Sequence, residues 1–149
     1  MLFELRIDEQ DYVLFRVEGG QRNELARVSG GGSYLLKGSG PPTELQLETA
    51  IQMAEDWLMP HASGLHGHVV VMEDLTGRMA SGLQALLGIA EDQWSLQEWE
   101  QVFLKVVDLA TGRHPPALLH EHRLFVADLV LVRELAHHGQ VARVKLSGP

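Results

Sequence analysis

Residues 123–139 read RLFVADLVLVRELAHHG, and whether this stretch is helix or strand decides the fold. Its first half is apolar nearly all round, with Leu124, Phe125, Val126, Leu129, Val130, Leu131 and Val132. Three valines and a phenylalanine favour a strand over 123–132. Helix is the better reading, because Pro115 and Pro116 can open one, Gly139 can end one, and Arg133 to His138 fit the same frame. A helix from Pro115 to about His138 that is apolar on every side is either enclosed by the rest of the fold or seated against a second copy of the chain.

The neighbouring segments supply the enclosure. Phe3, Leu5 and Ile7, then Val13, Phe15 and Val17, alternate with polar residues as half-buried strands do, with a polar turn over Asp8 to Asp11. The alternation weakens through Leu25 to Val28, turns at Gly30 to Gly32 and resumes at Tyr34 to Leu36. This predicts an antiparallel meander of about four strands, one face of which must be covered. The cover is a helix opening on the capping box of Thr43 and Gln46, with Leu47, Ile51, Ala54 and Leu58 on one stripe and Pro60 and Gly64 as its stop. Val69 to Met72 reads as a strand buried on both faces, and Gly77 to Leu87 as a short helix weakened by Gly82. A second capping box, Ser95 with Glu98, opens a helix to about Ala110, and Val141 to Leu146 alternates like a closing strand. Strands first and helices later give an α+β fold, expected as one globular domain over 1–149.

Composition narrows the function classes. The chain has 149 residues, a size that suits one core, and 45% hydrophobic residues suffice to build it. Twelve basic against twenty acidic residues, with no lysine or arginine stripe, argue against nucleic acid as a partner. MLFELRIDEQ does not resemble a secretory signal, and no apolar run approaches the roughly 18 residues a membrane span needs. The absence of cysteine excludes disulfides and thiolate metal sites. The expectation is a soluble, cytoplasmic protein.

Six of the eight histidines fall in pairs: His66 with His68, His120 with His122, and His137 with His138. On a strand, His66 and His68 would share a face and could share a metal; on a loop around Gly64 and Gly67 they would simply be solvated. His120 and His122 diverge by about 200° on a helix, so they belong to its first turns rather than to one site. Glu134 and His137 lie three apart on one helical face, the spacing of carboxylate-bridged metal bundles, but no second such motif is present. As plain helix-end residues, His137 and His138 would face unpaired carbonyls. The candidate metal ligands are therefore His66, His68, Glu134, His137 and His138, with Glu73 or Glu134 as candidate general base.

Other signatures are missing. Glu73 and Asp74 follow an apolar strand, but no GxxxxGK[ST] loop accompanies them, no GxSxG elbow occurs, and no thiol nucleophile is available. Trp57 and Trp99 lie on apolar stripes, and Trp94 precedes the Ser95 cap as a staple would. With no complete catalytic set and an apolar helix to spare, the leading expectation is a non-catalytic binding or accessory protein acting through a protein surface or as a homodimer. The alternative is a metal-dependent hydrolase with a histidine and carboxylate site, and a small-molecule cleft between the sheet and the first helix is a third possibility.

Overall fold

The computed structural model describes residues 1–112, 115 and 117–147, with the backbone alone at 118 and 120. Six strands form one sheet: β1 (Leu2–Ile7), β2 (Asp11–Glu18), β3 (Gln21–Ser29), β4 (Val69–Asp74), β5 (Gln93–Trp94) and β6 (Arg143–Ser147). Their order is β3-β2-β1-β4-β6-β5. β1, β2 and β3 pair antiparallel, β4 runs parallel to β1, β6 parallel to β4, and the short β5 antiparallel to β6. The α+β class holds, and β4 and β6 add parallel pairing to the meander.

The meander has three strands. The expected fourth, at Tyr34 to Leu36, is instead the end of helix α1 (Gly31–Leu35). Gly30 and Gly31 take φ of 91° and 53°, and this left-handed pair turns the chain off the sheet edge, so that Leu35 and Leu36 are buried from a helical turn. Helix α2 (Glu44–Leu58) opens on the expected box, with Thr43 and Gln46 bonding reciprocally. The helix ends at Leu58, two residues before Pro60 as expected, and the chain continues through a 3-10 turn at Met59–His61 into α3 (Ala62–Leu65). Proline costs nothing there, since its missing N–H lies at the start of a new turn.

Helices α4 (Arg78–Leu87) and α5 (Leu96–Thr111) lie where the sequence puts them, and Ser95 with Glu98 closes the second box. Trp94 stacks on Trp99, ring centres 4.8 Å apart, as a staple across that cap. Of the two prolines expected to start the helix, Pro115 is not helical and Pro116 lies outside the described residues. Helix is present at α6 (Leu118–Glu121) and again at α7 (Arg123–Gly139), two helices where one was expected, with a break at His122 (φ −112°, ψ 23°). The break lets α7 take its own axis, and its first residue, the buried Arg123, donates inward to the carbonyls of Lys37 and Gly40.

Helix α7 is the centre of the molecule. Leu129, Val130, Leu131 and Leu135 are wholly buried between the sheet, α2 and α5. On the sheet, Phe3, Leu5, Ile7, Tyr12, Leu14, Val70, Met72 and Val144 belong to the same core. The opposite face carries Glu4, Arg6, Val13, Phe15 and Arg22, and Arg22 bonds Glu4 at 2.8 Å while lying 4.8 Å over the Phe15 ring. Val69 and Val71 on that face are half-exposed, so β4 is not buried on both sides as its apolar run suggests. The helical layer covers one face alone, and charged side chains screen the other.

Candidate functional site

The carboxyl ends of β1 and β4 carry a buried polar network. Asp74 closes β4 and turns its carboxylate onto the start of α4. Its Oδ1 accepts from Thr76 N (2.9 Å), Thr76 Oγ1 (2.6 Å) and Gly77 N (3.2 Å), and its Oδ2 from Met79 N (2.8 Å). The amides that an α4 N-terminus would leave open are therefore held by the chain's own carboxylate. One layer deeper, α7 contributes Asp128, which is fully buried. Tyr12 donates its hydroxyl to Asp128 Oδ1 at 2.6 Å, and Arg78 grips both oxygens at 2.9 and 3.1 Å. The free edge of Arg78 reaches Glu9 in the β1–β2 turn, 3.3 Å away.

Burial pushes Asp128 up to about 6, against the opposing pull of Arg78 and the Tyr12 hydroxyl. Burial, then the adjacent Asp128 charge, raises Tyr12 well above the ordinary phenol range. The network thus fixes Arg78 from behind. In front of Arg78 lies a cavity of ≈ 190 Å³ lined by Thr76, Gly77, Arg78, Ser81, Glu121, His122 and Phe125. It opens beyond the carboxyl ends of parallel strands, where open sheets of this kind take ligands. The Arg78 guanidinium, the Ser81 hydroxyl and the His122 imidazole can together bind an oxyanion and move a proton.

The histidines and carboxylates singled out in the sequence lie elsewhere. Glu134 is wholly buried on α7, and the histidine it meets is His138, four residues on, with His138 Nε2 2.9 Å from Glu134 Oε2. His137 is exposed and stands edge-on to His138 at 5.0 Å. Glu55 of α2 completes the cluster, 3.8 Å from His138 Nε2. His66 is exposed and His68 packs edge-on against Phe3 at 5.5 Å; both sit before β4 starts, on the loop that turns at Gly67 (φ 75°). Among the described residues, the group of three potential ligands within 4.8 Å of one another is Glu55, Glu134 and His138, without His66, His68 or His137. Glu73 bonds Arg22 at 3.4 Å on the far face of the sheet. The cleft expected between sheet and first long helix is present, ≈ 490 Å³ lined in part by Val28, Tyr34, Met53 and Trp57.

Sequence reasoning missed Tyr12, Arg78, Asp128 and Glu55. Asp128 carried a signal, as the only charge between Leu124 and Val132. A lone acid inside an apolar run needs a partner. The partners are 116 and 50 residues away, so spacing could not identify them.

No family model matches the chain, and no curated protein sequence does. Solved structures do match in fold. Against the Aquifex aeolicus PPX-GPPA enzyme the TM-score is 0.69 at 11% identity, over 99% of this chain and 53% of that one. A Ppx/GppA phosphatase structure from the same organism, a type II variant, gives 0.65 at 12%, again over 99% and 53%. An exopolyphosphatase-like protein gives 0.61 at 12%, over 99% and 54%. The chain therefore spans about half the length of these neighbours, and the likeness is one of fold. It overturns the expectation of a non-catalytic binding or accessory protein, which rested on missing motifs and on spare apolar surface. The fold is one that enzymes use, and the apolar helix is spent inside it.

Proposed function

We propose that the chain is one lobe of a hydrolase of the phosphatase kind, and that the cavity beyond β1 and β4 is its share of the substrate cleft. The observation that carries this reading is the grouping of Arg78, Ser81 and His122 around a polar cavity at the carboxyl ends of parallel strands, in a fold matched by phosphatases over 99% of the chain. The substrate class is a phosphoester or a phosphoanhydride chain. Arg78, braced by Asp128, is a stiff donor to phosphoryl oxygens, and Ser81 adds a hydroxyl. Glu9 and Glu121 would repel a bare phosphate, so the substrate is taken as its magnesium complex. In the step proposed, water attacks phosphorus and gives a proton to Glu121, the bond from phosphorus to the leaving oxygen breaks, and His122 protonates that oxygen.

The neighbours are nearly twice as long, so the second wall of the cleft comes from another lobe, on the same polypeptide, a second copy or a protein partner. Neither nucleic acid nor membrane is invoked; among the described residues no helix is long and apolar enough to cross a membrane. The cytoplasm is the proposed compartment. The test is calorimetric titration with magnesium tripolyphosphate. Saturable binding is expected, weakened about tenfold, or 1.4 kcal/mol, by His122→Ala and by Ser81→Ala in chains whose circular dichroism is unchanged. No saturable binding, or binding that neither substitution weakens, overturns the reading.

A further inference from the structure

We infer that Glu55, Glu134 and His138 form a site for one divalent ion of the zinc class, joining α2 to α7. The site stands apart from the proposed cleft, since His138 lies ten residues beyond Asp128 on α7, on the order of 15 Å along its axis.

One buried oxygen of Glu134 is unsatisfied. Glu134 is fully buried, and its Oε1 accepts from Arg133, while its Oε2 has no hydrogen-bond donor. His138 Nε2 is 2.9 Å from that oxygen but is not aligned to donate to it, and Glu55 Oε2 is 3.8 Å from the same nitrogen. A buried carboxylate oxygen without a partner is costly, and a cation placed among the three atoms removes the cost. Ligand atoms about 2.0–2.2 Å from a tetrahedral ion lie roughly 3.3–3.6 Å apart, within the range these atoms span. One imidazole with two carboxylates suits zinc and its neighbours better than magnesium or calcium, which take oxygen alone.

The surroundings fit. Glu134 cannot swing away, because Arg133 holds Oε1 and is itself gripped by Glu100 at 3.0 and 2.9 Å. That fork also offsets the guanidinium charge beside the ion, as outer-shell partners of metal ligands do. His138 and Glu55 are partly exposed, which gives the ion a way in and a water as fourth ligand. Because the ligands come from two helices, bound metal stabilises the native packing.

The experiment is calorimetric titration with zinc chloride on protein purified without an affinity tag, with thermal melts alongside. One ion per chain is expected, with a higher melting temperature. Glu55→Gln and His138→Gln, both at partly exposed positions, are each expected to weaken binding about tenfold or more and to cancel the thermal shift. His66→Ala with His68→Ala is expected to change neither. Cobalt in place of zinc should give the visible bands of a tetrahedral site in the wild-type chain, a readout that requires no variant to fold. Absence of stoichiometric zinc binding, binding unchanged in His138→Gln, or binding lost with His66 and His68 overturns the inference. None of these outcomes bears on phosphate binding at the other end of α7.

Discussion

At Gly82, a Cβ would stand 2.2 Å from Phe125 Cγ, because α4 crosses α7 there with no room for a methyl group. Read within its own helix, the glycine is only a weakness, costing about 1 kcal/mol relative to alanine. The packing reverses that sign. Gly82→Ala is expected to destabilise by about 2 kcal/mol, and Phe125→Leu to recover part of the loss in the double variant; chemical denaturation measures both. Asp128 is set apart by its full burial. Its pKa in the fold is about 6 against an ordinary 3.8, so the folded chain holds that proton more tightly than the unfolded one. The stability it contributes is complete below about pH 4 and is lost as pH rises through about 6. The gap amounts to about 3 kcal/mol. Subtracting the stability curve of Asp128→Asn from that of the wild type should give a difference that falls across this window; a flat difference would show that the carboxyl is not so perturbed.

Among the elements, α7 is the one the core is built around. Burial of Leu129 and Val130 on every side means that Leu129→Asp should abolish folding, seen as loss of helical circular dichroism, rather than yield a folded monomer as a dimer contact would. At the start of α5, Ser95→Ala should cost about 1 kcal/mol, because it removes one half of an observed capping box. Both elements were legible from local patterns. The two capping boxes, the helical frame of 123–139 and the β1–β2 hairpin depend on residues within a few positions of one another, which is what periodicity and caps record. The segment at Tyr34 to Leu36 was misread because alternation over three residues cannot outweigh the two left-handed glycines before it. β5 has two residues and no period of its own, existing only by pairing with β6.

For the molecule as a whole, the sequence conveyed the class of fold but not the order of its strands. β1, β4 and β6 lie side by side although long stretches of chain separate them, and no local signal specifies such partners. The candidate site is obscured for the same reason. Arg78 is unremarkable singly, Asp128 signals only that it needs a partner, and they become a site only when β2, α4 and α7 meet. Histidine pairing, the most visible feature of the chain, pointed to the other end of α7, where only Glu134 and His138 of the five expected ligands come together. A central sheet with one helical face carries a cavity at its carboxyl edge, and the chain spans about half the length of the neighbours it matches. The most direct test is to follow backbone amide resonances during addition of magnesium tripolyphosphate. Saturable shifts concentrated at 76–81 and 121–125 are expected; shifts confined to the opposite end of α7, or none at all, would contradict the placement of the phosphate site.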